Sequence, residues 1–132
     1  MERSNSLLYA CKYRGNRIAF EKAVLRFGLR IVYASSVEDL REAMSSEEFC
    51  LTIADISGFE REILDELKEY ENSRKGGLLI VLPESYTKQE IGDSFSHVMT
   101  KPLKVPEVLR LIRYYSERNT RDGENFSMDD KS

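Results

Sequence analysis

The chain has 132 residues, of which 41% are hydrophobic and 33% are charged, and its net charge at pH 7 is −3. This composition is typical of a globular domain and argues against a disordered chain and a basic nucleic-acid surface. No apolar run approaches the roughly 18 residues that a membrane-spanning helix needs. Two cysteines and one histidine cannot form a four-ligand zinc site without carboxylates. We therefore expect reduced thiols in a cytoplasmic protein without a metal cofactor.

The first half of the chain alternates short apolar runs with amphipathic segments. The predicted strands cover residues 6–11, 29–34 and 49–55. Between the first two strands, apolar side chains recur at helical spacing at Phe20, Ala23, Val24 and Phe27. Gly28 is placed to end that helix in a left-handed conformation. Ser35 or Ser36, followed by Glu38 or Asp39, predicts the start of a second helix.

The second half continues the alternation. A third helix is predicted to pack through Ile63, Leu64 and Leu67, with a solvated acidic outer face. The run "LLIVL" (78–82) is typical of a central parallel strand that is covered on both sides. Thr87 and Glu90 predict a short fourth helix, and residues 96–100 a fifth strand. The last helix has Pro106 in its first turn and an apolar face formed by Val105, Val108, Leu109 and Ile112.

Five strands alternating with helices predict an α/β domain: a parallel, doubly wound sheet with helices on both faces. We expect this domain to cover residues 1–118. Residues 119–132 are polar and aperiodic, which predicts a disordered tail or linker.

Charged residues are predicted at the carboxyl ends of the strands, where open α/β sheets place their working surface. Asp55 ends the third strand, Lys101 follows the fifth, and Lys12 follows the first. Such a carboxylate is either a reactive acceptor or a structural ion pair, and the sequence leaves both open. The turn "CKYRGNR" lacks the glycines and Lys-Ser/Thr pair of a phosphate-binding loop.

Three stretches resemble response-regulator receiver (CheY-like) domains: "NRIAFEKAVLRFGLRIVYASSVEDL", "TIADISG" and "VMTKPLKVPEVLRLI". The resemblance covers residues 6 to about 118 and implies a flavodoxin-like fold with strand order 2-1-3-4-5. In that family a histidine kinase phosphorylates the aspartate that ends strand 3, which matches Asp55. Lys101 matches the conserved-type lysine, and Pro102 supports its loop.

Four positions depart from the family pattern. Cys11 and Lys12 stand where the resemblance implies two Mg²⁺-binding acids, Pro83 replaces a Thr or Ser, and Val98 replaces an aromatic residue. Mg²⁺ prefers carboxylate and water oxygens. Repulsion between an ammonium and a divalent cation at about 4 Å is of order 8 kcal/mol at an effective dielectric constant of 20.

The resemblance with these departures favours a pseudo-receiver: a non-enzymatic two-component signalling module that acts through protein contacts without phosphorylation or a cofactor. Its partner would be a signalling protein, either a histidine kinase or an output domain, with a homodimer left open and neither membrane nor nucleic acid bound. The candidate partner face comprises Tyr86, Lys88, His97, Lys104, Arg110, Arg113 and Tyr114. One alternative is an active receiver that uses Mg²⁺ and is phosphorylated on Asp55. A second is an unrelated small α/β ligand-binding domain or enzyme.

Overall fold

The computed structural model describes residues 6–24, 28–73, 76–83, 91, 94–101 and 103–120, with the backbone alone for residues 16 and 117–120. The described strands are β1 (Ser6–Ala10), β2 (Arg30–Ala34), β3 (Leu51–Asp55), β4 (Gly77–Leu82) and β5 (Val98–Thr100). The described helices are α1 (Arg14–Val24), α2 (Val37–Ser46), α3 (Glu62–Ser73) and α4 (Val105–Thr120). Within these ranges, no helix combines the length and apolar character needed to cross a bilayer.

The five strands form one parallel sheet in the order β2-β1-β3-β4-β5. In the centre of the sheet, Tyr9 of β1 lies opposite Tyr33 of β2 on one side and Ile53 of β3 on the other. Every residue of β1, β3 and β4 is buried, as expected for strands covered on both faces. The predicted fold and strand order are confirmed.

Helices cover both faces of the sheet and form two separate cores. Alternate strand residues point to opposite faces, so Leu8 packs with Leu40 of α2 and with Ile63 and Leu67 of α3. Leu7 and Tyr9 belong to the other core, which is closed by α1 and α4. The α1 and α4 side chains in this second core are Phe20, Val24, Val108 and Ile112.

Two local predictions, a helix cap and a positive φ, are confirmed by the structure. Ser36 caps α2, because its hydroxyl accepts a hydrogen bond from the Asp39 N–H at 3.0 Å. Gly28 has φ +69°, the left-handed conformation predicted for it. Val105 differs from the prediction and is 37% exposed. It is the first residue of α4, and burial of this helix in the core begins one turn later, at Val108.

Candidate functional site

The predicted site residues gather at the carboxyl edge of the sheet. Asp55 is the last residue of β3, Lys101 follows β5, and Cys11 and Lys12 follow β1. Two backbone hydrogen bonds fix this edge: Ile56 N–H donates to Val81 O at 3.2 Å, and Lys101 N–H donates to Leu82 O at 2.9 Å. The parallel ladder therefore holds Asp55 and Lys101 on either side of the end of β4.

Both carboxylate oxygens of Asp55 are engaged within the chain. Oδ1 accepts a hydrogen bond from the Ser57 N–H at 3.1 Å, and Oδ2 lies 3.1 Å from Lys101 Nζ. Asp55 is only 3% exposed, whereas the Lys101 side chain is 30% exposed. A buried carboxylate requires compensation by hydrogen bonds or an opposite charge, and these two contacts supply both.

The β1–α1 loop packs over the turn that follows Asp55. The Lys12 ammonium lies 5.5 Å from the centroid of the Phe59 ring, within the range of a cation–π contact. The Tyr13 phenol lies so close to Gly58 that a Cβ there would be 2.6 Å from Oη. Gly58 also has φ +81°, which favours glycine in this turn. These two contacts join the β1–α1 loop to the turn that follows Asp55.

Three positions that depart from the receiver pattern take ordinary structural roles. Cys11 is fully buried, and its thiol donates to the Tyr13 carbonyl oxygen at 3.3 Å. Pro83 is half-buried directly after β4; it has neither a hydroxyl nor a backbone N–H to offer a phosphoryl group. Val98 is partly buried and packs against the α2/α3 core.

The buried phenol of Tyr9 interacts electrostatically with Asp55. Tyr9 stacks on Phe20 with ring centroids 4.4 Å apart. Burial raises the pKa of Tyr9 far above its ordinary value, and the negative charge of Asp55 adds to the rise. The Tyr9 hydroxyl therefore stays protonated and uncharged.

The residues around Asp55 do not fit Mg²⁺. The Asp55 oxygens are held by Ser57 and Lys101, Cys11 offers a soft sulfur, and Lys12 carries a positive charge. Mg²⁺ requires hard oxygen ligands in a near-octahedral array. In the described ranges, no group of three or more His, Cys, Asp or Glu side chains is placed to hold a metal ion.

The Ser57 hydroxyl is a buried polar group without a hydrogen-bond partner in the described structure. An unsatisfied buried hydroxyl costs roughly 1–3 kcal/mol. We expect Ser57→Ala to leave the free energy of unfolding unchanged or to raise it by up to about 1 kcal/mol, because the backbone N–H that binds Asp55 is kept. Urea denaturation measures this, with Ser36→Ala as the control: loss of the α2 cap is expected to cost about 1 kcal/mol. A loss at Ser57 as large as that at Ser36 would contradict the expectation.

The candidate partner-face residues differ in their environments. His97 Nε2 lies 2.9 Å from Tyr115 Oη in a hydrogen bond, so this ring is part of the packing at the start of β5. Arg110 pairs with Glu107 at 2.6 Å on the exposed side of α4. The exposed members of the set are Lys104, Arg110, Arg113 and Tyr114. Tyr86 and Lys88 lie outside the described residues.

Comparison with solved structures identifies the fold. A CheY-like response-regulator receiver domain from Methanospirillum hungatei JF-1 is 15% identical, with TM-score 0.68, over 93% of this chain and all of that one. The signal receiver domain of an HD domain-containing protein from Pseudomonas fluorescens Pf-5 is 14% identical, with TM-score 0.69, over 89% and 98%. The beryllofluoride-activated NtrC4 receiver domain dimer is 13% identical, with TM-score 0.69, over 87% and 98%.

The chain therefore has the fold of a response-regulator receiver domain, as the three sequence stretches predicted. No protein-family model matches the sequence, and no curated protein matches it either. The similarity to these receiver domains is therefore a similarity of fold. Asp55 and Lys101 lie together at the edge where the resemblance places the phosphoacceptor and its lysine.

Proposed function

We propose that this chain is a receiver-like module of two-component signalling that acts through protein contacts without phosphorylation of Asp55. The observation that carries the proposal is the state of Asp55: it is 3% exposed, and both of its oxygens are bound within the chain. Cys11 and Lys12 supply no carboxylate beside it. The receiver fold is thus retained without the acidic cluster.

The chemistry of phosphoryl transfer supports this assignment. The protein's contribution to such reactions is positioning and neutralisation of the charge that develops on the phosphoryl oxygens, largely by a metal ion. The donor set is poor for Mg²⁺, and the Lys101 ammonium is in contact with the Asp55 carboxylate. A phosphodonor would have to displace that contact to reach the Asp55 oxygen.

The proposed module needs neither a catalytic group nor a cofactor, and we place it in the cytoplasm with a histidine kinase or an output domain as its partner. The dimeric state of the NtrC4 receiver supports considering a homodimer of this chain as well. The competing function is an active receiver, which the retained Asp55–Lys101 contact favours.

The decisive experiment is incubation with acetyl phosphate and Mg²⁺ followed by intact mass measurement. We expect no phosphoryl adduct on the wild type, and no change in its amide spectrum near Asp55 with beryllofluoride and Mg²⁺. A stoichiometric adduct that disappears in Asp55→Asn would overturn the proposal. The double variant Cys11→Asp with Lys12→Asp tests whether the lack of carboxylates at these two positions prevents phosphorylation. It introduces two carboxylates and is expected to increase labelling of Asp55.

A further inference from the structure

The two helical layers carry opposite charge. Helices α2 and α3 together contain eight acidic and two basic residues, whereas α1 and α4 together contain six basic and three acidic residues. Lys12, Lys101 and Lys104 lie in the loops that lead into α1 and α4, which adds to the asymmetry. The overall charge of −3 conceals this separation.

The exposed apolar side chains share the basic side of the molecule. Among the described residues, the exposed large hydrophobic side chains are those of Tyr13, Ile18, Val105 and Tyr114. Ile18 lies on α1, Val105 and Tyr114 lie on α4, and Tyr13 directly precedes α1. Helices α2 and α3 have none in this set. Scattered single apolar residues are ordinary on a surface, but here they coincide with the positive charge.

The pattern on α1 is a regular stripe. Arg14, Ile18 and Lys22 are spaced four residues apart, so they form one line along the helix. All three are exposed, while Phe20 and Val24 on the opposite side are buried in the core. Ile18, 49% exposed, thus lies between two cations in the middle of the outer surface of α1.

The outer side of α4 carries the same combination. Arg110, Arg113 and Tyr114 are exposed, while Val108 and Ile112 pack against the sheet. Tyr114 is held by an edge-on contact with the Tyr115 ring at 4.9 Å. A positioned aromatic side chain loses little conformational freedom on binding, and Tyr and Arg are enriched in interface cores.

We propose that this basic face, defined by Arg14, Ile18, Lys22, Arg110, Arg113 and Tyr114, binds an acidic protein surface that carries apolar side chains among its carboxylates. The inference deepens the proposed function, on which it rests, by naming the chemistry of the partner. Carboxylates would pair with Arg14, Lys22 and Arg113, and apolar side chains would cover Ile18 and Tyr114.

Two other occupants fit less well. The acidic α2/α3 side of a second copy would supply carboxylates, but its described helices present no exposed large apolar side chain to meet Ile18 and Tyr114. A nucleic acid would gain from the cations, but its phosphate backbone would leave the exposed Ile18 side chain without an apolar partner.

The test uses a displayed library of random dodecapeptides selected on the full chain, after which a recovered peptide is synthesised and its affinity is measured by fluorescence anisotropy. We expect the recovered sequences to be rich in Asp and Glu together with apolar residues. Arg14→Glu with Lys22→Glu and Arg113→Glu is expected to weaken binding by about tenfold or more. The matched control, Glu42→Lys with Asp65→Lys and Glu69→Lys, should bind as well as the wild type or more tightly.

Ile18→Ala with Tyr114→Ala tests the apolar part, and we expect a loss of about fivefold or more. Recovered peptides without acidic residues, or equal affinities for the charge-reversed variants, would overturn the proposal. So would tighter binding of a short DNA duplex than of the peptide at physiological salt, or oligomers in sedimentation that the basic-face variant abolishes. The mass measurement on Asp55 reports separately on the proposed function, because an adduct there leaves the peptide result unaffected.

Discussion

Asp55→Ala is expected to lower the free energy of unfolding by about 2–3 kcal/mol. The substitution removes the acceptor of the Ser57 N–H and leaves the Lys101 ammonium without its buried counter-charge. Breaking a fully buried ion pair typically costs 3–5 kcal/mol. The expected loss is smaller because the Lys101 side chain is 30% exposed and water can solvate part of its charge.

A double-mutant cycle separates these two contributions. Asp55→Asn keeps an acceptor for the Ser57 N–H but removes the charge, so its loss should be smaller than that of Asp55→Ala. Adding Lys101→Met to Asp55→Ala should recover part of the stability, because no uncompensated ammonium remains. Urea denaturation at constant ionic strength is measured for the wild type, Asp55→Asn, the single variants Asp55→Ala and Lys101→Met, and the double variant. Unchanged or increased stability of Asp55→Ala would contradict the ion-pair account.

Gly77→Ala is expected to cost about 2–4 kcal/mol. Gly77 begins β4, and a Cβ at this position would lie 2.5 Å from the Tyr115 ring. The ring can move only by disturbing its hydrogen bond with His97 and its contact with Tyr114. Overpacking of this kind costs 1–3 kcal/mol, and loss of the hydrogen bond adds to it.

Gly15→Ala is the matched control, because nothing lies within 4 Å of the position where its Cβ would be built. Gly15 is inside α1, so the same substitution should stabilise the protein by up to about 1 kcal/mol. Thermal unfolding followed by circular dichroism compares the two. A neutral Gly77→Ala would show that Tyr115 is not packed against β4, and Tyr115→Ala should remove most of the penalty if it is.

The fold could be predicted because its signals are local. The buried run 78–82 and the apolar runs before it gave the strands of the sheet. Ser36 marked the start of α2 through side-chain capping, and Gly28 was predicted to have a positive φ; both features depend on immediate neighbours. Val105 was misjudged because helical spacing alone does not reveal which turn of a helix is the first to be buried, here the turn of Val108.

The site could be predicted only in part. The strand ends placed Asp55 and Lys101 together, and the ion pair follows from that topology. The Ser57 hydrogen bond, the Tyr13–Gly58 contact and the Lys12–Phe59 contact depend on how two loops meet. Neither periodicity nor spacing carries that information. His97 was predicted as part of the candidate partner face, and its hydrogen bond to Tyr115 is a tertiary contact that spacing does not reveal.

The internal engagement of both Asp55 oxygens has a consequence for the timing of any response, under the proposed function. In a receiver that is switched by an acyl phosphate, hydrolysis of that bond limits how long the active state lasts. A domain whose aspartate is bound by its own backbone and lysine has no such limit on the lifetime of its active state. The strength of its signal would then follow the number of molecules present, and synthesis and degradation would set both onset and decay.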